Sequence, residues 1–277
     1  MRLGGPILAR QTLDPERWIA AHVERGYTAA YFPDVDDAAR IEDYVRAAAK
    51  ADIVIAEAGA WSNPLSQDPE VREQAIRYCK KKLVTAELAG ARCCVNIAGS
   101  LGEQWDGHDP ANLTADTFEL IVETVRGIID HVKPERTYYT LEMMPWMYPD
   151  TVDSYLQLIK AIDREAFAVH LDPVNIVTSP QLFYRNGALI EECFTKLGPY
   201  IRSCHAKDIV LGSSMVVHLD ETRPGQGKLD YAQYLRQLAK LDRDVPLMLE
   251  HLDSDSEYRL AADYIRATAD SIGVLLG

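Results

Sequence analysis

Eight short apolar runs, each followed by a longer stretch of helical periodicity, constrain this chain more than any other feature. The runs lie near 3–9, 28–33, 52–59, 92–99, 138–145, 167–173, 201–208 and 247–252. After each, apolar residues recur at helical spacing, over 15–25, 36–50, 69–89, 114–132, 151–162, 187–197, 231–240 and 256–272. A strand that must pair in parallel with its predecessor needs a long crossover, and a helix is the usual one. Eight such units in 277 residues predict a closed (β/α)8 TIM barrel forming a single domain over 1–277. An open doubly wound sheet is the competing arrangement, and it would carry a glycine-rich turn between the first strand and first helix. Here Gly4-Gly5-Pro6 reads as lying before or within the first strand, and no G-x-G-x-x-G opens a helix.

Local punctuation agrees with this division. Asp14-Pro15 and Asp68-Pro69 pair an N-cap with a proline suited to the first helical position, and Thr114 precedes the apolar pattern Phe118, Leu120, Ile121, Val125. Gly26 and Gly90 read as helix stops. No linker or low-complexity tract divides the chain. The five cysteines (79, 93, 94, 193 and 204) are odd in number and form no C-x-x-C pair, so reduced thiols in a cytoplasmic protein are expected. No signal peptide is evident, and no run approaches the roughly 20 apolar residues that span a bilayer. A formal charge of −13 disfavours nucleic acid and anionic membranes as partners, but not a small neutral molecule. Homo-oligomerisation is left open. Lys80, Lys81 and Lys82 read as a solvated helix face.

Four ligand-type side chains end four of the apolar runs: Glu142 in YYTLEMMP (138–145), Asp172 in FAVHLDP (167–173), His205 in IRSCHAKD (201–208) and Glu250 in LMLEHLD (247–253). A parallel barrel brings the C-terminal ends of its strands to one mouth, so these four converge if the barrel forms. Buried carboxylates without a counter-charge are costly, and one divalent cation would compensate all of them together. Three carboxylates and an imidazole suit Mn²⁺, with Mg²⁺, Co²⁺ or Zn²⁺ as alternatives. Residues two apart on a strand share a face, which groups Thr140 with Glu142, His170 with Asp172, and Ser203 with His205 and Lys207.

Glu142, D-P-x-N at 172–175, H-x-K-D at 205–208, L-E-H at 249–251 and P-G-Q-G-K-L-D at 224–230 together resemble the xylose isomerase-like sugar isomerase/epimerase superfamily. The resemblance covers the whole chain. It implies one divalent metal held by Glu142, Asp172, His205 and Glu250, with Glu142 and Glu250 as acid/base groups on opposite sides of a ketose. The chemistry is consistent on its own terms. Removing a proton next to a carbonyl builds negative charge on an enediolate; a chelated cation stabilises that charge, and a carboxylate within reach moves the proton. The expected function is therefore isomerisation or epimerisation of a sugar, keto-sugar or keto-inositol. A lyase or dehydratase, including a C-glycoside-cleaving type, is the alternative on the same site. An endonuclease IV-like nuclease and a non-catalytic barrel rank below both.

Two departures narrow the resemblance. Ketose 3-epimerases typically place a substrate-touching His where this chain has Asn175, and an Arg where it has Leu211. The extra histidines of the endonuclease IV-like branch are absent from Glu57-Ala58-Gly59 and from Asn96-Ile97-Ala98-Gly99. Around the metal, Lys207 is a catalytic candidate that could stabilise the enediolate. Substrate-binding candidates are His170, Asn175, Glu57, Arg223, and Trp105 and His108 from the long fourth loop at 100–114. Trp61 and Trp146 lie just past strand ends, where either could stack on a sugar ring.

Overall fold

The computed structural model describes residues 1–9 and 11–277. In chain order its strands are β1 (Arg2–Gly4), β2 (Ala29–Tyr31), β3 (Val54–Gly59), β4 (Cys93–Asn96), β5 (Tyr139–Glu142), β6 (Phe167–Leu171), β7 (Ile201–Ala206), β8 (Asp208–Leu211), β9 (Leu219–Thr222) and β10 (Pro246–Leu249). All but β8 and β9 form a closed parallel barrel in which β10 lies between β7 and β1. The helices are α1 (Pro15–Glu24), α2 (Ala38–Lys50), α3 (Pro69–Ala89), α4 (Ala115–Val132), α5 (Val152–Ile162), α6 (Pro180–Tyr184), α7 (Asn186–Leu197), α8 (Tyr231–Leu238) and α9 (Asp255–Ser271). Every predicted strand and helix is present, and the chain is a TIM barrel.

Short polar side chains start the helices. Asp14, Asp37, Asp68, Thr114, Thr151 and Ser254 each accept a hydrogen bond from a first-turn amide, satisfying donors that the helix itself leaves free. The main core fills the space between barrel and helices. A second, smaller cluster of Ala29, Ala56 and Met248 packs apart from it. Met248 is in register with both His205 and Gly4, and Gly4 with Ala29, which puts these residues on the inner face. Gly4 has to be glycine: a Cβ there would lie 2.4 Å from the Ala29 carbonyl oxygen and 2.7 Å from Met248 Sδ.

Three features depart from expectation. The first strand stops at Gly4, so Gly5 and Pro6 follow it rather than preceding or lying within it; Pro6, lacking an N–H, cannot extend the ladder. Residues 208–222 form an antiparallel hairpin of β8 and β9, paired from Asp208 with Thr222 to Leu211 with Leu219. Lys82 is not solvated: it is buried and reaches Asp34 and, at 3.3 Å, Asp36 on the loop after β2. All five cysteines are free and buried. No helix among the described residues is long and apolar enough to cross a membrane.

Candidate active site

The strand register delivers the ligand set. Glu142 closes β5 and is in register with His170 on β6, which is in turn in register with Ser203 on β7. Asp172 and Glu250 each follow their strand's last residue directly, and His205 lies two residues beyond Ser203. Glu142, Asp172, His205 and Glu250 each offer a ligand atom within 4.8 Å of the others. His205 Nδ1 faces Glu250 Oε1 at 2.8 Å, Glu142 Oε1 at 3.4 Å and Asp172 Oδ2 at 3.5 Å. Lys207 Nζ lies 2.6 Å from Glu250 Oε1, 3.0 Å from Asp172 Oδ2 and 3.8 Å from Glu142 Oε1. Asn175 bridges the group, donating from Nδ2 to Glu142 Oε1 (2.9 Å) and accepting at Oδ1 from Lys207 (3.2 Å).

The electrostatics of this group match a cation. With His205 neutral, as a metal ligand must be, three carboxylates against one ammonium leave two negative charges, the charge that a single divalent ion carries. Asp172 Oδ2, His205 Nδ1 and Glu250 Oε1 are buried without a well-directed hydrogen bond, despite the nearness of Lys207. Buried polar atoms are normally paired, so their convergence on one point is what a metal-binding set requires. Burial works against charge on His205, but Glu250, Tyr31, Glu142 and Glu57 outweigh it and hold the imidazole well above its ordinary range. Burial likewise opposes charge on Lys207; Asp172, Glu250 and Glu142 raise it well above the usual lysine value. Glu250 is pushed up by burial and pulled below the carboxylate range by His205 and Lys207.

A cavity of about 610 Å³ opens above the quartet, within the size range of small-molecule sites. Glu142, His205 and Glu250 line it, and so do Lys207 and Asn175; Asp172 is sealed beneath. Trp61, Trp105 and Trp146 form an aromatic rim, with Trp146 Nε1 donating to the Asp106 carbonyl at 2.8 Å and tying two loops together. Tyr31, Glu221, His251 and Tyr258 also line it and were not anticipated. Glu221 arrives on β9. It lies 3.5 Å from Lys207 Nζ and 3.2 Å from His251 Nδ1.

Four expected substrate contacts do not reach this cavity. Glu57 and His170 are buried one layer deeper and bond to each other, at 3.0 Å. Arg223 points to Glu257 at 2.8 Å, and His108 is exposed on the fourth loop away from the cavity wall. The last residue of H-x-K-D also has a plain structural task. The buried Asp208 carboxylate accepts from the amides of Ile209, Gly225, Gly227 and Leu229 at 2.8–3.0 Å, fixing the P-G-Q-G-K-L-D segment.

The fold and site together define a barrel with a carboxylate–imidazole cluster at the C-terminal mouth whose residues could hold a metal ion. The chain belongs to the family described as xylose isomerase-like TIM barrel, whose model matches residues 19–268. A search of curated proteins finds no match. Among solved structures, a xylose isomerase-like TIM barrel protein from Mycobacterium smegmatis in complex with magnesium aligns at 22% identity and TM-score 0.66, over 93% of this chain and 90% of that one. D-psicose 3-epimerase from Clostridium cellulolyticum aligns at 16% identity and TM-score 0.68, covering 100% of both chains. Endonuclease IV from Thermus thermophilus aligns at 18% identity and TM-score 0.70, over 98% of this chain and 100% of that one. At these identities the likeness is one of fold.

Proposed function

We propose that the chain is a divalent-metal-dependent isomerase or epimerase of a sugar, keto-sugar or keto-inositol. The observation that carries this reading is the convergence of Glu142, Asp172, His205 and Glu250, with three buried ligand atoms that make no well-directed hydrogen bond, beneath a cavity of small-molecule size. When bound, the metal, Mn²⁺ in the first instance, supplies a Lewis acid that stabilises negative charge beside a carbonyl. The remaining work falls to side chains. Asp172 is sealed from the cavity, so its role is confined to holding the ion. Glu142 and Glu250 line the cavity from β5 and from the end of β10, so both can exchange a proton with a substrate carbon or hydroxyl. Glu142 is steered by Asn175, and Glu250 by His205 and Lys207. Lys207 keeps its proton and places a fixed positive charge where an oxyanion would form. The tryptophan rim offers apolar faces to a sugar ring. The enzyme would act in the cytoplasm on a small carbohydrate.

Metal analysis of protein purified without chelator should find about one divalent ion per chain, lost in Glu142→Ala and in His205→Ala. Solvent deuterium should enter the carbon next to the carbonyl of at least one ketose or keto-sugar in a panel. Loss of water or an aglycone from the same panel would move the assignment to the lyase chemistry that shares this site. Absence of metal would remove both.

A further inference from the structure

Below the quartet, the barrel interior holds a second polar group that does not line the active-site cavity. Glu57 on β3 is 1% exposed, and His170 and Ser203 are fully buried. Glu57 Oε1 accepts from Ser203 Oγ at 2.6 Å and from His170 Nε2 at 3.0 Å. The other oxygen, Oε2, has no hydrogen-bond partner and faces His205 Nε2 at 3.7 Å. The closest recorded contacts of Glu142, Asp172 and Glu250 with this ring are instead to Nδ1. The His170 ring also packs edge-on against the His205 ring, with centroids 4.1 Å apart and planes at 72°.

We infer that Glu57, anchored by Ser203 and His170, is a positioning residue that selects the tautomer of His205 and so prepares Nδ1 to bind the metal. This rests on the metal reading above. A neutral imidazole carries one N–H and one lone pair, and which nitrogen keeps the proton is set by what faces it. Nδ1 faces the three carboxylates of the quartet and must present a lone pair if a cation is to join them. The proton then belongs on Nε2, in the field of the Glu57 carboxylate. At 3.7 Å the contact exceeds hydrogen-bond length, so the bias is electrostatic; in a dry interior such a bias is strong. His170 adds a steric limit by holding the ring plane. Burying a carboxylate this deep is costly, and Ser203 and His170 offset the cost while leaving one oxygen free for His205.

Titration of Mg²⁺ and Mn²⁺ into chelator-treated protein, followed by calorimetry, tests this. Glu57→Gln keeps the shape and removes the charge; metal affinity should fall about 10- to 100-fold, the usual effect of losing a ligand's supporting partner. Ser203→Ala keeps the charge but frees it of one anchor, and should weaken binding about 3- to 10-fold even if Glu57→Gln folds poorly. Long-range ¹⁵N–¹H spectra of histidine-labelled, Mg²⁺-loaded protein should place the His205 proton on Nε2. A wild type that binds no metal would remove the proposed function itself. Metal-binding wild type with unaltered affinity in both variants, or a proton on Nδ1, would overturn the positioning role alone. So would two ions per chain, since Glu57, His170 and His205 also lie close enough together to hold a cation of their own.

Discussion

Replacing Asp208 with Asn tests whether one buried carboxylate organises the loop that carries Glu221 to the cavity. Its Oδ1 accepts from the amides of Ile209 (2.9 Å) and Leu229 (2.8 Å), and its Oδ2 from those of Gly225 (2.9 Å) and Gly227 (3.0 Å). The fit leaves no slack, because a Cβ at Gly227 would lie 2.2 Å from Oδ1. Asn preserves the shape but turns one acceptor into an NH₂ group facing two N–H donors. Two orphaned donors at about 1–2 kcal/mol each, and two bonds reduced from charge-assisted to neutral, sum to about 4 kcal/mol. For a chain of this size that corresponds to a melting temperature about 8 °C lower. Calorimetry gives the shift, and amide hydrogen exchange at Gly225, Gly227 and Leu229 gives its location. A drop below about 2 °C with those amides still protected would refute the argument. Metal stoichiometry should not change, since Asp208 contributes nothing to the quartet.

Two further outcomes are expected. His22 is buried with Nδ1 bonded to the Trp18 carbonyl at 2.8 Å, and burial lowers its pKa from 6.5 to about 4. The folded state therefore resists protonation that the unfolded chain accepts. The stability involved is intact above pH 6.5 and drains away as pH falls toward about 4, by about 3 kcal/mol. His22→Gln should melt with a visibly flatter pH dependence across that window; parallel curves for the two proteins would contradict it. Asn175→Ala removes the bridge between Glu142 and Lys207, so turnover on whichever substrate exchanges deuterium should fall roughly tenfold or more with one metal still bound. Unchanged turnover would mean that Glu142 is held in place without Asn175.

The barrel was legible because its strands are buried on both faces and stand out as continuous apolar runs, while Asp14, Asp68 and Thr114 marked helix starts by a local rule. The quartet was legible for a related reason: strand-end position is visible in sequence, and the barrel converts it into proximity. What was missed depends on contacts with no local trace. Strands β8 and β9 pair only with each other; Asp220 and Glu221 are exposed and leave β9 without an apolar run, while Ile209-Val210-Leu211 of β8 directly continues the run that ends at Asp208. The turn at Gly212-Ser213-Ser214 between two β-branched stretches was the available signal. Lys82 looked like its neighbours Lys80 and Lys81 because its partners, Asp34 and Asp36, lie 48 and 46 residues away. Glu57 and His170 were read as substrate contacts from their place near strand ends. Sequence gives the face of a strand well, but not the depth at which a side chain stops.

That difference in depth separates two polar layers. In the lower layer, Ser203 and His170 both bond Glu57 Oε1, while Glu57 Oε2 and His170 Nδ1 have no hydrogen-bond partner, and the three side chains are buried. In the upper layer the carboxylates outnumber the one lysine among them, so protein atoms alone leave it short of positive charge. A chain selected only for stability would have little reason to place such a layer directly over a second buried polar one, since apolar packing would be at least as stable. The arrangement makes physical sense if the upper layer is completed by something that arrives from the cavity. His205 is the hinge between the two, with Nε2 in the field of the lower layer and Nδ1 in that of the upper. Under the proposed metal reading, whatever sets the proton on that ring sets how well the upper layer accepts a cation. For that reason, metal affinity in this protein should respond to residues that no ligand touches.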